Sequence, residues 1–100
     1  MPFECTIPAV ATVLAEDERA KVTRWDFEPG AATGWHEHGM DYAVVIMTDA
    51  VMAFEADGVV TEKPVKVGDS YIRPKGVKHD VKNAGSTRLS FIEVEMKAGM

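Results

Sequence analysis

Gly34-Trp35-His36-Glu37-His38-Gly39-Met40-Asp41-Tyr42 is the stretch whose reading decides the fold. His36 and His38 are two residues apart, so on an extended strand both imidazoles project from one face. Two imidazoles converging from one face are most of a metal site, and the one other histidine, His79, is the candidate to complete it. The remaining sequence then has to bring His79 back to that pair.

Outward from this stretch the chain alternates as strands do. Tyr42, Val44 and Ile46 share the parity of His36 and His38 and are expected to line the same interior. Upstream, Trp25 and Phe27 take one parity and Arg24 and Asp26 the other, up to a stop at Pro29-Gly30. Downstream, Asp57-Gly58 between two β-forming runs is a strong hairpin signal, and Pro64 confines the return strand to an edge or a bulge. Turns follow at Val67-Gly68-Asp69, Pro74-Lys75-Gly76 and residues 83–87, with Val77, His79 and Val81 on one parity between them. Residues 89–96 carry apolar side chains on both parities, Leu89 and Phe91, followed on that side by Glu93, against Ile92, Val94 and Met96. Such a strand is expected to be covered on both faces, the second by another subunit. Residues 7–17 read as a lead-in with an extended piece, a helical turn staying open, and Glu16 to Arg19 as a charged turn. Short strands at this spacing predict an all-β sandwich or barrel, one domain over residues 1–100.

Composition narrows the function. A formal net charge of −5 and the absence of a basic run argue against nucleic acid and acidic membrane surfaces as partners. Cys5 stands alone, so no intramolecular disulfide forms, which suits a reducing compartment and a plain thiol. With no basic-then-hydrophobic leader and no run long enough to span a bilayer, the expectation is a cytoplasmic protein.

The spacing of glycines, proline and histidines resembles the cupin superfamily. The first cupin motif runs from about residue 30 to 50: Gly30, five residues, then His36-Glu37-His38. The second runs from about 68 to 83 and is complete in Gly68, Pro74, Gly76, His79 and Asn83. The first motif departs from the family at its glutamate, where Tyr42 or Ala43 stands, and Asp41 falls one residue early on the opposite parity. The resemblance implies a single-domain jelly-roll β-barrel, a homodimer, and a metal held by His36, His38 and His79 without a carboxylate.

Imidazole suits iron, zinc, copper and nickel, so the ligand set does not fix the ion; the resemblance favours iron(II), with zinc, manganese or nickel as alternatives. Three-histidine cupins include small iron(II) dioxygenases that break a carbon–carbon bond of β-diketones. That likeness implies dioxygen and an enolisable dicarbonyl, or another anionic chelator, as substrates. Catalysis would run through the three histidines' metal and through Tyr42. Tyr42, Phe54 and Phe91 are the candidate pocket walls, and Tyr71 or Arg73 a candidate polar contact. The alternatives are a zinc or manganese isomerase, epimerase or hydrolase, and a small-molecule-binding module without turnover. Around the site, Trp35 is expected to pack, Glu37 to face solvent, Asp41 to end a strand, Asn83 to cap a turn, and the methionines to fill core.

Overall fold

The computed structural model describes residues 7–97, all of it strand, turn or loop; Cys5 lies outside the described residues. Nine strands follow in order: β1 (Val10–Glu16), β2 (Ala20–Phe27), β3 (His36–Glu37), β4 (Asp41–Ile46), β5 (Ala50–Ala56), β6 (Val59–Val65), β7 (Ser70–Arg73), β8 (Lys78–Asn83) and β9 (Leu89–Met96). They form two antiparallel sheets, ordered β1-β2-β9-β4-β7 and β3-β8-β5-β6. The helical turn left open in residues 7–17 is a strand instead, because β1 pairs along its length with β2. With no helix among the described residues, none is long and apolar enough to cross a membrane.

The alternation in the sequence becomes the inner face of each sheet. Phe27, Tyr42, Val44, Ile46, Leu89 and Phe91 from the larger sheet meet Met52, Val65 and Val81 from the smaller. Burying nine such side chains supplies the main drive for folding, at about 25 cal/mol for each Å² of apolar surface removed from water. Asp57 and Gly58 both adopt positive φ, 52° and 76°, which closes the β5–β6 hairpin with the backbone twist of a type I′ turn. β6, carrying Pro64, is an edge strand as expected.

Asn83 ties the two sheets together. Its side-chain amide donates to the carbonyls of Phe27 and Thr87, 3.1 and 2.8 Å away, and its carbonyl accepts from the Gly85 N–H. The turn-capping expectation holds, and this 1 % exposed residue also joins the end of β2 to the end of β8. Two packing expectations fail. Trp35 is 53 % exposed, because on a strand of two residues the neighbour of an inward histidine has no layer to pack against. Met47 and Met96 are exposed too, whereas Met52 is core.

The outer face of the larger sheet carries one apolar row across four strands. Val22, Val94, Ala43 and Ile72 stand in one cross-strand row, with Ile92 and Val45 beside them in the next.

Candidate metal centre

β3 pairs antiparallel with β8, and the register sets His36 opposite His79. His38 follows at the end of β3, held by its backbone: its N–H donates to the Val77 carbonyl and its carbonyl accepts from the Gly76 N–H at 2.7 Å. Gly76, at φ 95°, gives the turn the left-handed step that aims this N–H at His38. The Pro74-Lys75-Gly76 turn of one motif thus fixes a histidine of the other. Asp41 completes the arrangement from below: its carboxylate accepts from the Lys75 N–H at 2.8 Å and its side chain is exposed. Asp41 is a turn clamp and contributes nothing to the histidine cluster, in line with its opposite parity.

The three imidazoles converge on their Nε2 atoms. His36 Nε2 lies 3.1 Å from His38 Nε2, which lies 3.0 Å from His79 Nε2. His36 Nδ1 lies 2.8 Å from the Gly34 carbonyl, which can only accept, so Nδ1 carries a proton there and Nε2 is the nitrogen left to ligate. Protons cannot satisfy all three nitrogens together, since a single N–H on His38 reaches one neighbour and leaves the other lone pairs facing each other. A cation on the common side satisfies all three. Ligands at right angles around an ion, with bonds of about 2.1 Å, lie about 3.0 Å apart, against about 3.4 Å for tetrahedral ligands. The two spacings through His38 match the facial set, so the residues fit a divalent ion with open positions opposite them.

Burial keeps the cluster in its ligating form. It pushes the His38 imidazole down to about 4, helped by the charge that a protonated His36 would place beside it. His79 is likewise held down to about 4, by burial first and then by His36, His38 and Arg73. Both rings are therefore neutral at neutral pH, as metal binding requires.

A layer of polar groups behind His36 sets its orientation. Asp80, 2 % exposed, accepts from the Gly34 N–H at 3.1 Å and faces the Thr33 hydroxyl. Thr33 Oγ1 in turn donates to the Gly34 carbonyl and accepts from the Val81 N–H. The loop that carries the acceptor for His36 Nδ1 is thereby fastened to the strand that carries His79. Neither Thr33 nor Asp80 is visible in the sequence as a functional residue; the only available signal is that Asp80 abuts a motif histidine.

A cavity of about 270 Å³ opens on the free side of the histidines. Tyr42 stacks on His38, with ring centroids 3.8 Å apart and planes 16° from parallel, so it is a platform for that imidazole. Burial pushes its phenol up to about 12, and it stays protonated. Phe91 and Tyr71 line the same cavity, while Phe54 faces His79 from the other side at 6.3 Å and Arg73 lies beyond Tyr71, its guanidinium 4.9 Å from that ring. The wall beside His38 holds two residues that nothing in the sequence marks as functional on its own, Glu93 and Glu95. Glu93 is buried, and burial, reinforced by Glu95, pushes its carboxyl up to about 7. The sign of it was present in the alternation of β9, where the core parity of Leu89 and Phe91 continues into two acids.

Comparison with known proteins bears on this site. The family model described as "Cupin domain" matches residues 23–95. The beta-alanine degradation protein BauB of Pseudomonas aeruginosa is 42 % identical over 89 residues, spanning 89 % of this chain and 94 % of that protein. A crystal structure of a cupin domain from Bordetella pertussis is 45 % identical, covers 91 % of this chain and 95 % of its own, and superposes with a TM-score of 0.86. An RmlC-like cupin family protein from Methanocaldococcus jannaschii, 20 % identical over 89 % of this chain and 80 % of its own, shares the double-stranded β-helix fold at a TM-score of 0.76.

Proposed function

Since the chain belongs to the cupin family, we propose that it is a metal-dependent cupin. In this reading His36, His38 and His79 hold a divalent ion, and a small anionic chelator binds on the ion's open side. The observation that carries the reading is the convergence of three imidazole Nε2 atoms, with His38 Nε2 3.1 and 3.0 Å from those of His36 and His79, on the edge of a cavity. Three imidazoles leave the ion's full double charge uncompensated, which favours an anionic ligand over a neutral one.

The finer reading is a mononuclear iron(II) dioxygenase that cleaves a carbon–carbon bond of a small β-diketone or similar compound. Iron(II), when bound, supplies the dioxygen chemistry. The chain's own residues orient and shield. Tyr42 holds His38 flat, while Phe91, Val44 and Val81 give the cavity an apolar wall that limits competing water.

A second substrate reading is favoured by the likeness to BauB, whose name concerns β-alanine degradation. β-Alanine and the 3-oxo acid left when its amine is removed are both three-carbon carboxylates, and the 3-oxo acid is itself a 1,3-dicarbonyl. A cavity of this size accommodates either.

The test is protein reconstituted anaerobically with iron(II), mixed with acetylacetone and then air beside an oxygen electrode. Stoichiometric uptake that zinc does not support is the expected result. Metal binding without uptake would discard the dioxygenase and leave an isomerase, a hydrolase or a binding module.

A homodimer is the assembly that goes with this reading. The apolar row Val22, Val94, Ala43 and Ile72 on the outer face of the larger sheet supports it. A monomeric mass in sedimentation would overturn it.

A further inference from the structure

The cavity beside the histidines is lined by two chemically opposite groups. One is the cluster that would hold a cation; close beside its His38, Glu93 and Glu95 line the same cavity from β9. One carboxylate oxygen from each lies within 4.8 Å of the other and of a ring nitrogen of His38. Only 8 % of Glu93 is exposed.

Lys21 stands opposite Glu95 in the β2–β9 register and draws the Glu93 carboxyl down a little, yet no ion pair joins it to either acid among the described residues. The Trp25 indole is close enough to Glu93 to pull its carboxyl down, and Trp25 Nε1 is itself buried without a hydrogen-bond partner. A buried N–H without a partner, beside a buried carboxyl, is a costly feature in a core this small. A second metal ion is a poor occupant, because His38 Nε2 is already turned to His36 and His79. Two carboxylates alone would be a ligand short.

Resting on the metal reading above, we propose that Glu93, with Glu95 beside it, binds the ammonium group of a ligand whose carboxylate reaches the histidine-held ion. Two carboxylate oxygens within 4.8 Å of each other are spanned by one nitrogen hydrogen-bonded at about 2.8 Å to both. Tyr42 and Trp25 supply aromatic walls on which a cation rests favourably. The short reach from the acids to His38 limits the chain between the two groups to about three carbons at most. The ligand class is a short amino acid, the amine on the terminal or third carbon. This choice separates the two substrates left open above: Glu93 selects the amino acid over the 3-oxo acid.

The decisive measurement is calorimetric binding of β-alanine and of propanoate, its amine-free counterpart, to cobalt(II)-loaded protein. β-Alanine is expected to bind at least about tenfold more tightly, the smallest effect of pairing a buried charge, and Glu93→Gln to bring the two affinities together. Equal affinities in the wild type, or a preference that survives Glu93→Gln, would overturn the proposal.

The acid pair is also tested apart from the metal. Propylamine titrated into metal-free protein is expected to move the Trp25 indole N–H resonance, assigned with Trp35→Phe, and to leave it unmoved in Glu93→Gln. A shift in the wild type alone, with no cobalt(II) absorption band on metal addition, would sink the metal reading and keep the ammonium site. An unmoved resonance in the wild type would sink the ammonium site whatever the metal does.

Discussion

His36 and His79 face each other directly across the β3–β8 ladder, 43 positions apart in the chain and adjacent in space. The register of a two-residue strand therefore decides whether the three imidazoles meet. A slip of one residue would turn Glu37 inward and His36 out.

Removing one histidine from this arrangement should abolish stable metal binding without unfolding the barrel. For His79→Ala the expected outcome is a loss of metal affinity above about a hundredfold, larger than the loss of a supporting partner gives. Elemental analysis after dialysis reads the occupancy, and circular dichroism confirms the strands. Retained metal in His79→Ala would refute the ligand assignment.

Asp41→Ala separates a turn clamp from a fourth ligand. Its bond to the Lys75 N–H is exposed, so its loss should cost about 1 kcal/mol in urea unfolding and leave metal occupancy unchanged. Metal lost together with Asp41 would place that carboxylate on the ion after all.

Asp80 acts through His36. Replacing it by Ala releases the Gly34 N–H and loosens the carbonyl that orients His36 Nδ1. Metal affinity should fall about 10- to 100-fold, with each of the three histidines still present. Unchanged affinity in a competition titration would show that Thr33 alone holds the loop.

Acid should weaken the metal-free protein, and Glu93 should blunt the effect. His38 and His79 titrate at about 4 when folded against an ordinary 6.5, so between those values the unfolded chain binds more protons and stability falls as pH falls. Glu93 has the opposite sign. Its folded carboxyl, at about 7 against an ordinary 4.5, holds a proton that the unfolded chain has released, a contribution complete below 4.5 and lost as pH rises through 7. Near pH 5.5 the net uptake on unfolding is about one proton, and about two in Glu93→Gln. Melting temperature should therefore drop from pH 7 to 5, and more steeply in the variant. Parallel slopes would show that Glu93 is ionised in the folded protein.

Much of this was legible in the sequence, because it depends on parity and turn chemistry. The placement of His36, His38, Tyr42, Val44 and Ile46 on one interior follows from alternation, and Asp57-Gly58 announces its own turn. What stayed hidden depends on contacts between distant strands. Asp80 reads as a solvent-facing neighbour of His79 until the Gly34 loop is seen lying on it. Trp35 looked like core because tryptophan usually is, yet β3 is too short to give its outer face a covering layer. The acids of β9 were readable as a break in an apolar face, but not as one wall of the cavity.

The brevity of β3 also has a kinetic side. His36 arrives on a strand of two residues, its N-terminal approach fastened through Gly34, Thr33 and Asp80, while His38 is pinned by two backbone bonds to residues 76 and 77. Breaking so few hydrogen bonds frees the arm while the sheets stay closed, so metal should enter and leave by local opening of residues 33–38. Exchange half-times should then follow amide-hydrogen exchange at His38 and Gly76, far faster than global unfolding. Such a site would equilibrate with whichever ion its surroundings supply.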